Sequence, residues 1–160
     1  MKITVLLPGK IKPKALAAAQ EEYIKRLKAY GVDTLEYKDE KISSRSPEQT
    51  KQADAERIFK LLKDGDYLIA CDERGTKIQT MEMAGLIQAS RRGDYPLAGK
   101  RRIVIAIGGA LGLAETVRQR ADAVWALSSL VLAGGVARIV LLEGLYRALT
   151  VVENHPYHNE

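Results

Sequence analysis

The chain has a single cysteine, Cys71, so no internal disulfide can staple it, and a reducing compartment is expected. Cys71 reads as a small buried strand residue rather than a reactive thiol. Histidine is nearly as scarce. The only two, His155 and His158, both fall in the last six residues, and no cysteine or further histidine is left to complete a site around them, so no metal is expected. No uncharged apolar run approaches the roughly 20 residues of a membrane helix. The opening stretch Ile3 to Leu7 is too short for a signal core and is followed by no small-residue cleavage site. Neither membrane insertion nor export is expected, which leaves the cytoplasm. No repeat, low-complexity tract or linker divides the 160 residues, so one domain, 1–160, is expected, burying about two-thirds of its unfolded surface.

What is present is ordinary for a globular protein: 46% hydrophobic and 28% charged residues. The net charge of +5 favours a polyanionic partner through counterion release, without identifying one.

Strand and helix patterns alternate along the chain. Ile3 to Leu7, closed by Pro8-Gly9, reads as a buried strand, followed by a helix from Pro13 to Tyr30 with Leu16, Ala19, Tyr23 and Leu27 on one face. Val32 to Tyr37 reads as a second strand and Lys38 to Arg45 as a polar loop. A second helix runs from Ser46-Pro47 to about Lys63. Tyr67 to Cys71 is the third strand, leading into a charged loop, Asp72 to Lys77. Thr80 caps a helix that stops near Arg91-Arg92-Gly93. Ile103 to Ile107 is a continuous apolar fourth strand, as a strand buried on both faces should be. A short helix, Leu113 to Ala121, a fifth strand, Ala123 to Leu127, and a last helix from about Val136 to Val152 complete the order. This alternation implies an α/β fold: an open, mostly parallel sheet with helices on both faces and ligands beyond the carboxyl ends of the strands.

Three loops should therefore share one sheet edge: Asp72 to Lys77, Gly108-Gly109-Ala110-Leu111-Gly112, and Ser128 to Gly135. Gly108, Gly109 and Gly112 at a strand end can form a cofactor cradle, though a tight turn without ligand would use the same residues. Dinucleotide folds place their glycine turn after the first strand. Here Pro8-Gly9-Lys10 lacks that spacing, so a conventional nicotinamide site is disfavoured.

The last helix is apolar around nearly its whole circumference, through Val136, Ile139, Val140, Leu141, Leu142, Leu145, Tyr146, Leu149 and Val151. Packing on the sheet alone cannot bury them all, so a second copy is expected to cover the rest. Glu143 and Arg147 stand four apart on one face, either as an ion pair at that seam or as functional groups whose burial would otherwise be costly. In the tail, Tyr157 could stack on a base and His158 could donate to phosphate or exchange a proton.

Four motifs then fall in order: Ile107-Gly108-Gly109-x-x-Gly112; Trp125-Ala126-Leu127-Ser128; Arg138 followed by Glu143, Tyr146, Arg147 and Ala148; and Asn154-His155-Pro156-Tyr157-His158. In order, spacing and chain length the sequence resembles the RlmH-type ribosomal RNA methyltransferases of the SPOUT superfamily, over essentially its whole extent. The resemblance implies a homodimer with a C-terminal trefoil knot, which topology rules alone would not suggest. It implies S-adenosylmethionine as cofactor and N3 of a pseudouridine in large-subunit ribosomal RNA, on the assembled ribosome, as the target. It assigns Cys71, Gly108, Gly109, Gly112, Leu127, Ser128, Ser129, Leu130, Val131 and Leu132 to the cofactor pocket. Glu143, Arg147, Tyr157 and His158 become the catalytic, substrate-side residues, with the tail acting across the dimer. Arg147 would stabilise charge on a base carbonyl, and Glu143 or His158 would accept the N3 proton.

Two departures from the family pattern stand out. Ala133-Gly134-Gly135 replaces the usual Pro-His before the last helix, which lowers the expected rigidity of the cofactor loop, and Asn159 replaces a basic residue after Tyr-His. Two other functions remain open on the sequence: a non-catalytic ribosome- or RNA-binding protein of the same fold with weakened cofactor binding, and a small-molecule nucleotide enzyme.

Overall fold

The computed structural model describes residues 1–38 and 46–157. The polar loop expected up to Arg45 therefore falls, beyond Lys38, outside the described residues, as do His158 and Asn159.

Among the described residues, five strands and five helices alternate strictly. They are β1 (Lys2–Pro8), α1 (Lys14–Ala29), β2 (Val32–Tyr37), α2 (Pro47–Leu61), β3 (Asp66–Lys77), α3 (Thr80–Arg92), β4 (Arg102–Ile107), α4 (Glu115–Arg120), β5 (Ala123–Ala126) and α5 (Gly134–Val152). The strands form one sheet in the order β2-β1-β4-β3-β5, every pair parallel. Apart from Thr4, β1 is apolar from Ile3 to Leu7, and β4 is apolar from Ile103 to Ile107, because both faces of these strands are covered. Ile3, Val5, Leu7, Ile103 and Ile105 point to one layer, with buried residues of α1, α3 and α5, while Leu6, Val104 and Ala106 point to the other, with α2 and α4. Burying these runs on both faces, at about 25 cal/mol per Å² of apolar surface, is what holds the three layers together.

Local chemistry sets the helix ends. Ser46 Oγ accepts from the Gln49 N–H at 3.2 Å while the Gln49 side chain accepts from the Ser46 N–H at 3.1 Å, and Pro47 opens α2. α3 begins at Thr80 itself, so its cap lies one residue before the expected one. Gln79 is its N-cap, its N–H donating to the Glu82 carboxylate at 2.7 Å, and Thr80 is already helical. α4 is shorter than expected at both ends, and α5 begins two residues earlier, at Gly134.

Two expectations are corrected. Asp72 to Lys77 is not a plain loop: β3 continues through it, with Cys71 and Thr76 both opposite Trp125 of β5 and residues 72–75 bulging out between them. A charged run reads as loop in sequence, but β5 is an edge strand and offers its backbone to a solvated partner. The second concerns α5. Its apolar circumference is covered largely within the chain, because α5 packs against both α1 and α3, burying Leu141, Leu142, Leu145, Ala148 and Leu149. Among the described residues, the large apolar side chains left exposed at this end are Val136 and Val140, 39% and 36% exposed, and the preceding Leu130 and Val131, 73% and 83% exposed.

Candidate active site

The loops after β3, β4 and β5 meet beyond the carboxyl ends of the strands and enclose an open cavity of about 280 Å³. Of the residues assigned to a cofactor pocket, Cys71, Gly108, Gly109, Gly112, Leu127, Ser128, Leu130, Val131 and Leu132 all line it. Ser129 does not: it is exposed at the turn of its loop. The Ser128 hydroxyl holds that turn by accepting from the Leu130 N–H at 2.9 Å. Gly134 and Ala137 bring the first turn of α5 to the wall.

Two glycines make this convergence possible by close approach. A Cβ on Gly108 would lie 2.5 Å from the Gly112 carbonyl carbon and 2.7 Å from the Leu113 nitrogen, so no side chain fits where β4 enters its turn. A Cβ on Gly75 would lie 2.5 Å from the Val124 carbonyl oxygen, so the β3 bulge can press on β5 only with glycine there. The Ala133-Gly134-Gly135 departure also has a structural setting, since both glycines are helical and a Cβ on Gly135 would stand 3.1 Å from Leu16 Cδ1.

The chemistry of the wall is set by burial and by one ion network. Burial pushes the Cys71 thiol up to about 12, so it stays protonated and acts as apolar wall rather than nucleophile. Asp72 accepts from the Arg74 side chain at 2.8 and 3.0 Å, from the Arg74 N–H at 3.0 Å and from Arg118 at 3.1 Å. Arg118 also donates to the Leu113 carbonyl at 3.2 Å and pairs with Glu115, so it ties the β3 bulge to the glycine turn. The residues are 46 positions apart in sequence, and no local pattern announces the contact.

Burial pushes the Asp72 carboxyl up, but the Arg74 side-chain and backbone bonds, with Arg118 alongside, outweigh it and hold it below the usual carboxylate range. The same balance lowers Asp66, held by Arg102 and the Lys63 N–H, and Asp122, held by Lys100 and the Leu68 N–H. Because these carboxyls titrate lower folded than unfolded, their stabilisation is complete above the unfolded value near 3.9 and is lost as pH falls through the lower folded values. The thermal midpoint should be flat from pH 8 to about pH 5 and fall steeply below about pH 4. Asp72→Asn should cost about 1–3 kcal/mol at neutral pH and make the acid fall shallower; an unchanged acid slope in thermal melts would contradict the role given to the network.

A second cluster lies along α5. Arg147 Nε donates to Glu143 at 3.0 Å, the Tyr157 hydroxyl donates to the same Glu143 oxygen at 3.3 Å, and the Arg147 guanidinium stands 4.9 Å from the Tyr157 ring centre. Tyr157 meets Tyr146 edge-on at 4.7 Å, and Tyr23 and Tyr30 flank Tyr146. A hydrogen bond with Tyr23, then burial, pushes the Tyr157 phenol up to about 12, so it remains a neutral donor. The Glu143 hydrogen bond raises the Arg147 guanidinium above its ordinary value, so it stays charged.

The structure thus gathers Glu143, Arg147 and Tyr157 but does not bring them to the cavity. At about 1.5 Å per residue, Glu143 is about 14 Å and Arg147 about 20 Å along α5 from Gly134. The two charges are also less buried than the sequence implied, with Arg147 and Glu143 side chains 31% and 27% exposed, so their desolvation alone does not require a function. The buried Arg138, by contrast, was legible only as part of a motif. It donates to the Gly9 carbonyl at 2.8 Å and to the Pro8 carbonyl, fastening α5 to the end of β1.

An all-parallel sheet covered by helices on both faces, with a cavity at the strand carboxyl ends and its glycine turn after β4 instead of β1, is an α/β fold that departs from the dinucleotide-binding arrangement. The family model described as "Predicted SPOUT methyltransferase" matches residues 1–158, and the chain belongs to that methyltransferase family. It is similar to proteins named Ribosomal RNA large subunit methyltransferase H along their whole length. The one from Desulforamulus reducens is 37% identical over 163 residues, covering 99% of each chain. Those from Methylobacillus flagellatus and Dechloromonas aromatica are 35% and 37% identical, covering 99–100% of both chains. Among the described residues, no helix is long and apolar enough to cross a membrane.

Proposed function

We propose that this chain transfers a methyl group from S-adenosylmethionine to N3 of a pseudouridine in large-subunit ribosomal RNA, acting as a cytoplasmic homodimer on the assembled ribosome. The observation that carries the reading is the cavity where the loops after β3, β4 and β5 converge, in a methyltransferase-family chain whose full-length relatives are named for large-subunit ribosomal RNA. The lining suits the cofactor's chemistry. Leu111, Leu127 and Leu132 offer apolar surface to a purine, the turns offer backbone amides and carbonyls, and the exposed Glu73 offers a carboxylate to an ammonium group.

When bound, S-adenosylmethionine supplies an electrophilic methyl carbon that a nitrogen nucleophile displaces from sulfur. The protein's part is to hold the base nitrogen in line with that carbon, to receive its proton and to stabilise charge on the neighbouring carbonyls. Arg147, permanently cationic, is suited to the carbonyl, Tyr157 to donating a hydrogen bond, and Glu143 or His158 to the proton.

Glu143 and Arg147 stand too far along α5 to serve their own cavity, so a second copy delivers them. The exposed Leu130, Val131, Val136 and Val140 beside the cavity mouth are the surface that copy covers. The path of α5, which leaves the β5 edge and returns past the loops after β3 and β4 to reach α1, suits a trefoil knot in this region. Mass spectrometry of ribosomal RNA from a strain lacking the protein tests the activity: one large-subunit pseudouridine should lose a methyl group, and regain it when ribosomes are incubated with protein and cofactor. Unchanged RNA masses would overturn the assignment.

A further inference from the structure

We infer that Lys10, Lys12 and Lys14, in the segment joining β1 to α1, form a docking ridge for the phosphate backbone of the RNA substrate; this rests on the proposed RNA methylation and extends it to a surface outside the cavity. All three lysines are exposed, and among the described residues none has a carboxylate within ion-pair distance. Arg57, Arg91, Lys100, Arg102, Arg118 and Arg147 each have an acidic partner in the chain, whereas among the described residues the exposed Lys25, Lys28 and Lys60 on α1 and α2 do not, so it is position and fastening that single out the three lysines of this segment.

The segment is also fastened. The Gly9 N–H donates to the Tyr37 carbonyl at 2.7 Å, Arg138 donates to the carbonyls of Pro8 and Gly9, and Ile11 and Leu16 lie against Gly135. A fixed backbone presents the three cations at little ordering cost on binding, apart from their own side chains. The placement of Lys14 opposes local stability, since it opens α1 at the positive end of its dipole and the first turn holds no acid to offset it. A charge kept where the fold disfavours it points to a partner outside the chain.

Position identifies the partner. β1 is the neighbour of β4, and the lysines leave its carboxyl end beside the turn of α5 that supplies Gly134 and Ala137 to the cavity. A nucleotide whose base enters the cavity would carry its flanking phosphates across this ridge. Such contacts give affinity and register without reading sequence.

The test uses the full-length protein and a fluorescein-labelled single-stranded RNA oligonucleotide, with anisotropy read from 50 to 200 mM salt. Lys10→Ala/Lys12→Ala/Lys14→Ala should weaken binding on the order of 10–100-fold at low salt and reduce the slope of log K against log salt by about 2, at about 0.7 per lost phosphate contact. A control that removes the same charge elsewhere, Lys25→Ala/Lys28→Ala/Lys60→Ala, should leave the slope near wild type. Calorimetric affinity for S-adenosylmethionine should be unchanged in the ridge variant. An unchanged slope there, an equal loss in the control, or a parallel loss of cofactor affinity would each overturn the ridge. Wild-type protein that binds RNA with this slope yet methylates no ribosomal RNA would sink the proposed activity and leave the ridge standing.

Discussion

Gly108→Ala is expected to abolish measurable S-adenosylmethionine binding, a loss of 100-fold or more, and to lower stability by about 2–4 kcal/mol. The added methyl would sit 2.5 Å from the Gly112 carbonyl carbon and 2.7 Å from the Leu113 nitrogen, backbone atoms that no rotamer change can move aside. Relief requires the turn to open, and with it go the backbone groups facing the cavity and the Leu113 carbonyl held by Arg118. Leu111→Trp asks the same question without touching the backbone, because Leu111 is a half-buried lining residue and an indole there would fill the space. It should lose cofactor affinity in calorimetry while its thermal midpoint stays within a few degrees of wild type, an effect of about 1 kcal/mol or less. Wild-type affinity in Leu111→Trp would show that the cofactor binds elsewhere.

Much of the fold could be read in the sequence because the periodicities are clean. Ile3 to Leu7 and Ile103 to Ile107 are strands too apolar to have an exposed face, and both lie inside the parallel sheet. The convergence of three loops at one edge follows from that topology, so nine residues expected at a cofactor pocket meet at one cavity. Long-range polar contacts left no such trace. The hold of Arg118 on Asp72 and that of Arg138 on Pro8 and Gly9 each join distant residues by a geometry that no spacing rule encodes. The charged run 72–77 masked a continuing strand, since pairing with the β5 backbone outweighed the polar character of its side chains.

The apolar α5 illustrates a different limit. Its composition demanded two covering surfaces, and α1 and α3 supply most of that cover from within the chain. What a second copy would cover is therefore the exposed beginning of the helix, and what it would supply is the Glu143–Arg147–Tyr157 cluster that stands away from the cavity. Helix geometry, rather than hydrophobicity, is what now asks for the partner.

That distance makes subunit complementation the most direct test of a site built from two copies. Leu111→Trp should remove the cavity and Arg147→Ala the substrate-side cation, so each homodimer alone should be inactive. When the two variants are unfolded together and refolded as a mixture, every mixed dimer pairs one intact cavity with one intact Arg147, provided they come from different subunits. Methylation of ribosomes should then return to about a quarter of the wild-type rate, since half the dimers are mixed and each has one working site in a two-fold assembly. If the refolded mixture stays as inactive as its parents while wild-type protein refolded alongside regains activity, each chain completes its own site and the shared centre is contradicted.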